Sequence, residues 1–166
     1  MAGFTASWTH GNAVVMEQRG AESNNAQSFD HFGWGTQIQM RPGFTCWFHI
    51  PIPTPVFLDN HRMKLVRVFL GFEQIAGYRN SGSIADVHLW DGRNRIAMQS
   101  AGDFKSSGVP VMPGYHTYEL RQPREWLFGV GLSFMLRGAG YMDGHFIDNK
   151  DGPWIVIGSA GADFQV

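Results

Sequence analysis

The side chains of this sequence best equipped for chemistry are histidines spaced two residues from tryptophans. His49 follows Trp47 at that spacing, and His88 precedes Trp90 at it. On a strand such pairs share one face. A histidine beside a carboxylate is the usual tool for proton transfer, and Asp86 and Glu119 are the carboxylates that His49 or His88 would use. The simpler reading is a histidine hydrogen-bonded to a neighbour among aromatic rings, and the residues favour it. No His-x-His pair occurs, so a metal site would need His49, His88 and His116 to converge from separate strands; no metal is expected. Cys46 alternates with apolar residues, as a buried, inert thiol does. Ser159-Ala160-Gly161 lacks the nucleophile elbow and its helix. Gly129-Val130-Gly131 lacks the helix that a phosphate loop needs. No catalytic residue is assigned and no cofactor is expected. Trp47, Trp90, Trp34 and Trp8 offer rings that stack on sugars or cover the edge of a core.

Composition narrows the classes. The chain has 166 residues, which fits one domain spanning 1–166. With 13 Lys+Arg against 14 Asp+Glu, it lacks the positive field of a nucleic-acid binder. It has no basic amphipathic stretch to dock on a membrane and no apolar run of spanning length. Charged residues are 16% of the chain, against about 25% in typical domains. Such a chain buries much of its surface or presents an apolar face to something. One cysteine excludes an internal disulfide, and the N-terminus lacks the pattern of a signal peptide. Both point to a soluble, cytoplasmic protein, with non-classical export left open.

The elements that must position these side chains are strands. Helical periodicity is nearly absent, and 21 Gly and 8 Pro punctuate short runs of period-2 alternation. Strands are expected near Ala13–Gln18, Gly35–Met40, Phe44–Ile50, Met63–Gln74, Ile84–Trp90, Arg95–Gln99, His116–Leu120, Gly129–Leu136, Trp154–Ile157 and Ala162–Val166. Asp91-Gly92 reads as a hairpin turn. Arg19–His31 and Arg137–Lys150 read as loops. Pro51, Pro53 and Pro55 cannot donate to a ladder, so the strand ending in Trp47-Phe48-His49-Ile50 must stop or become an edge there. The fold expected is a single antiparallel β-sandwich of jelly-roll type, with a closed barrel as the alternative.

Alternation assigns core faces to Val66, Val68, Leu70 and Phe72; to Phe44, Cys46, Phe48 and Ile50; to Ala85, Val87 and Leu89; and to Phe128, Val130, Leu132, Phe134 and Leu136. The opposite faces carry Trp47, His49, Arg67, Phe69, His88 and Trp90, with the small Gly129, Gly131 and Ser133. A solvated face would carry Lys, Glu, Thr and Gln instead. If these strands share one sheet, the six larger residues line a ligand-binding face with a shallow place over the glycines.

Trp8-Thr9-His10-Gly11-Asn12, Gly33-Trp34-Gly35-Thr36, Trp47-Phe48-His49-Ile50-Pro51, Trp90-Asp91-Gly92 and Gly161-Ala162-Asp163-Phe164 resemble a family of small uncharacterised β-sandwich proteins of bacteria and fungi. The resemblance implies one compact β domain and carries no activity, cofactor or site residue. The functional expectation is a non-enzymatic binding module for a small organic molecule or a glycan. A cofactor-free enzyme that templates cyclisation or isomerisation, with His49 and Arg67 as hydrogen-bond donors, is one alternative. A structural homo-oligomer is the other, most simply a dimer that covers the Trp47/Phe69/Trp90 face and reaches across with the Pro51–Pro55 arm.

Overall fold

The computed structural model describes residues 4–18, 25–74, 82–107, 114–138 and 154–166. β1 (Thr5–His10) leads through a 3-10 turn, Gly11–Ala13, into β2 (Val15–Met16). β3 (Ala26–Phe32) and β4 (Gly35–Met40) form a hairpin, and β5 (Thr45–Ile52) is the aromatic strand that meets the prolines. A small hairpin of β6 (Phe57–Leu58) and β7 (His61–Arg62) precedes β8 (Lys64–Gln74). There follow β9 (Gly82–Asp91), β10 (Asn94–Met98), β11 (Phe104–Ser107), β12 (Tyr115–Glu125), β13 (Val130–Gly138) and β14 (Trp154–Gln165).

Two antiparallel sheets result, and they pack as a sandwich rather than closing into a barrel. The larger has the order β11-β12-β8-β14-β4-β3, with β1 pairing the remaining length of β14. The smaller has the order β10-β9-β13-β5-β2. Their inner faces share one core. Val68, Leu70, Ile155, Ile157 and Phe164 come from the larger sheet, and Phe48, Ile50, Leu89, Leu132 and Phe134 from the smaller. Phe48 stacks on Phe29 of the facing sheet and on Phe134 of its own, so aromatic rings bridge the two layers.

Several expected details change, each for a local reason. The register on β8 skips Val66: Asp163 pairs with Arg67 while Phe164 pairs with Leu65. That bulge turns Leu65 into the core and moves Val66 out of it. A second bulge at Ala85 does the same, with Met135 paired to Asp86 and Leu136 to Ile84, so Ile84 packs on the core instead. Phe44 and Phe128 are exposed turn residues, not core. Part of the expected loop at Arg19–His31 is β3, which pairs with β4. The two strands expected over 154–166 are one, β14. β1 and β11 are not among the expected strands, although β1 alternates in burial along its whole length. Of the loop expected at Arg137–Lys150, Arg137 and Gly138 belong to β13, and residues 139–150 lie outside the described residues.

The prolines act as anticipated. β2 pairs β5 only at Phe48 and His49, so Pro51 has a ladder neighbour, Gly131 of β13, on one side alone. The arm beyond folds back on its own sheet. The Thr54 hydroxyl donates to the Ile52 carbonyl (2.9 Å) and accepts from the Val130 N–H (2.8 Å).

Asp91-Gly92 forms the expected hairpin, with Gly92 at φ 57°. The Asp91 carboxylate has a further task. It is buried and accepts the backbone N–H groups of Leu127, Phe128 and Gly129 at 2.9, 2.7 and 3.2 Å. Replacing Asp91 by Ala leaves three amides without this acceptor. Urea denaturation is expected to report a loss of about 2–3 kcal/mol, the scale of charge-assisted hydrogen bonds in a buried site.

Candidate functional site

The sandwich divides the six predicted site residues. Trp47 and His49 stand on β5, and His88 and Trp90 on β9; both strands flank β13 in the smaller sheet, and the four share its outer face. Arg67 and Phe69 stand on β8 of the larger sheet, facing outward on the other side of the molecule. A common face of all six does not exist, because alternation assigns a residue to a face of its strand but not a strand to a sheet. The Trp47/Phe69/Trp90 face is likewise split.

On the smaller sheet the register sets the site. Ser133, in the middle of β13, is the Cα partner of His49 on one side and of His88 on the other. Strands β5 and β9 are two spacings apart, roughly 9–10 Å. The Trp47 and His88 rings nonetheless approach to 4.4 Å between centroids, tilted by 37°. Such a contact must cross over β13, which is possible because β13 is small there. Ser133 is left 5% exposed although it faces away from the core.

Beneath and beside these rings lie two hydrogen-bonded histidines. His49 Nδ1 is 2.7 Å from Ser133 Oγ, and its Nε2 is 3.4 Å from Glu17 Oε2. A carboxylate accepts only, so Glu17 favours the tautomer with hydrogen on Nε2. Nδ1 is then the acceptor of the serine hydroxyl. His88 Nε2 lies 3.2 Å from Asp86 Oδ2, with Trp90 edge-on at 6.2 Å. The expected choice of Asp86 as a histidine's carboxylate is therefore met at His88. Glu119 serves neither histidine; it sits on β12 within reach of Lys105. Glu17 is the partner that the sequence reading missed; it is the residue after β2, the strand beside β5.

Burial pushes the Asp86 carboxyl up. The Ser100 hydroxyl and N–H, the Val87 N–H and His88 outweigh it, so the carboxyl lies below its ordinary value of 3.8. The hydrogen bonds are 2.7, 3.1 and 2.8 Å from Ser100 Oγ, Ser100 N and Val87 N. His116 is on the other sheet, edge-on to Phe72, and burial holds its imidazole below the ordinary value. It does not converge with His49 and His88. Among the described residues no group of three His, Cys, Asp or Glu could hold a metal. Cys46 is buried, as expected.

The Glu17–His49–Ser133 line has the polarity of an acid–base–hydroxyl relay. It lacks the second half of acyl-transfer chemistry. Ser133 sits mid-strand between two paired strands, whose N–H groups serve the ladders rather than an oxyanion. One position along, the surface changes. Gly131 is flanked by Trp90 and Pro51 as Cα partners. A Cβ built on it would meet nothing nearer than Trp90 Cβ at 3.5 Å. This is a one-glycine trough, with an indole on one wall, an exposed proline on the other and His49 next along the strand.

The outer face of the larger sheet is different. Trp8 lies flat on Gly161, where a Cβ would fall 2.4 Å from the indole. It stacks on Phe69 at 5.3 Å and meets Tyr115 edge-on. Arg67 Nε donates to Asp163 Oδ2 at 2.6 Å. Both Arg67 and Phe69 are thus committed to neighbours.

Compared with protein-family models, with curated proteins and with solved structures, the chain matches none. Function has to be read from the geometry.

Asp86 supplies a check on the electrostatics. A carboxyl with a lowered folded-state pKa stabilises above its unfolded value and loses that contribution as pH falls through the folded one. Asp86→Asn is expected to cost about 1–3 kcal/mol at neutral pH. Thermal melts from pH 7 to pH 2.5 should show the wild type losing this advantage below about pH 4, with the variant's curve flatter there.

Proposed function

We propose that the outer face of the smaller sheet binds a small organic molecule or a glycan unit, seated in the Gly131 trough against Trp90, with the exposed ring of His49 packing beside it. The observation that carries this is the state of His49. Its side chain is 42% exposed, yet Ser133 and Glu17 hold it at both ring nitrogens. A ring fixed in place on an aromatic surface costs little further ordering when a ligand packs against it. Trp90 offers an indole beside it, and its buried N–H has no acceptor among the described residues.

A second reading is enzymatic, and the relay from Glu17 through His49 to Ser133 favours it. In that reading His49 positions or moves a proton on an apolar substrate undergoing cyclisation or isomerisation. Arg67 cannot assist, being on the other sheet. A structural role, in which a second copy covers this face, is the third arm of the test.

The decisive variant is Gly131→Val, which fills the trough with a residue suited to a strand. Screening methyl glycosides and small aromatic acids and amides by tryptophan fluorescence and protein-observed NMR should yield a binder that quenches Trp90. Gly131→Val should abolish that binding with the melting temperature kept within a few degrees, and His49→Ala should weaken it about tenfold. Light scattering that finds a dimer dissociated by Trp90→Ala, with no ligand found, overturns the binding reading. Turnover of a bound hit that is lost in His49→Ala moves it to the enzymatic one.

A further inference from the structure

At the end of the sandwich where β9 turns into β10, three turns come together. Arg62 of β7 donates to the Trp126 carbonyl at 2.8 Å, tying the β6–β7 hairpin to the turn before β13. Asp91 holds that same turn through three N–H groups, and Phe128 packs over Gly92. Asp59 and Asn60 form the tight tip of the hairpin in left-handed backbone, at φ 49° and 64°. These turns are braced, and apolar side chains point out of them. Phe128 is 74% exposed, Leu127 60% and Phe57 58%, with Leu58 beside them.

Cations outnumber acids around them. Arg62, Lys64, Arg93, Arg95 and Arg124 lie on these turns or the strand ends that carry them, against Asp59, Asp91 and Glu125 at the same end. Arg62 lies 3.9 Å from Glu125, and Asp91 is buried. The chain as a whole carries a net charge of -1, so this end is a basic region on a slightly acidic molecule.

We propose that this end docks on an anionic lipid surface. Phe57, Leu127 and Phe128 enter the boundary between headgroups and acyl chains, while the arginines meet the lipid phosphates. Large apolar side chains on turn tips, ringed by cations, are suited to that boundary, where each cation adds attraction to an anionic leaflet. A protein partner would more commonly meet a flatter patch whose centre is depleted of charge. No helix among the described residues is long and apolar enough to cross a membrane. A linear reading for a basic amphipathic stretch misses this surface, because it is assembled from three turns distant in sequence.

Flotation with phosphatidylcholine vesicles, with and without phosphatidylserine, tests it. The wild type should float with the phosphatidylserine vesicles, more weakly as salt rises. Leu127→Ser with Phe128→Ser should weaken this about 100-fold, and Arg93→Gln about fivefold. Circular dichroism and melting should be unchanged in both, since these side chains are exposed. Trough ligand binding should also be unchanged, which separates this proposal from the one above. Failure of the wild type to float, or flotation unaffected by the Leu127/Phe128 pair, overturns it. So does a wild-type dimer that ignores vesicles and becomes monomeric in that double variant, which would make the end a contact between copies.

Discussion

A close approach of three backbones at the middle of β14 underlies the rest of the structure. β14 pairs β8 along one edge, but on the other it pairs β4 as far as Ile157 and β1 from Ser159. At the change of partner, Gly11 and Gly35 lie so near the Ile157 carbonyl that a Cβ would fall 1.9 and 2.5 Å from its oxygen. Only glycine fits at either position, and Gly35 also has φ 149°. Thr36 fastens the junction. Its hydroxyl donates to the Gly11 carbonyl, so its contact with His31 Nδ1 must be an accepted bond. With β4 already in place along β14, the chain after β1 turns at Gly11–Ala13 and crosses to the other sheet as β2. That crossing brings Glu17 to His49. The electrostatics of the candidate site therefore begin with two hydrogens on the far side of the core.

The site depends equally on what β13 lacks. A larger side chain at Ser133 would part the Trp47 and His88 rings, and Ser133 supplies the hydroxyl that holds His49. β13 thus does opposite things on its two faces. Inward it offers Val130, Leu132, Phe134 and Leu136, all buried in the core. Outward it offers Gly131 and Ser133, followed by Met135 and Arg137, and over the serine its neighbours' side chains meet.

That division was legible in the sequence. Period 2 gave both faces of β13 and the inward set of β5, and the prolines correctly announced that β5 becomes an edge. What was not legible follows from physics that one strand cannot express. Bulges at Val66 and Ala85 shift the phase by one residue, and nothing in those residues marks them. The larger failure concerned sheets. Arg67 and Phe69 alternate as Trp47 and His49 do, yet membership of a sheet is decided by pairings between residues far apart, such as Arg67 with Asp163. Asp86 was found because its partner is two residues away. Glu17 was not, because its partner lies beyond the β3–β4 hairpin, which belongs to the other sheet, and the pairing of β2 with β5 is not written in either strand. Local hydrogen bonds leave a trace in spacing, and long-range ones do not.

The low charge of the chain posed one question: what covers the aromatic outer faces? Each sheet answers differently, and a pair of glycines measures the difference. On the larger sheet the space over Gly161 is taken by Trp8, 2.4 Å from where a Cβ would stand. Phe69 is buried beneath that cover, and the ion pair of Arg67 with Asp163 lies beside it. The molecule completes this face with its own first strand. On the smaller sheet the Trp47–His88 pair covers Ser133 and goes no further. Over Gly131 a Cβ would find ordinary contact distances, and the next polar group is a histidine already oriented. A glycine in a central strand costs stability, because it packs nothing and orders a flexible residue. At Gly161 that cost is offset by the indole it admits. At Gly131 nothing from the described chain makes it up, and a ligand in the trough would.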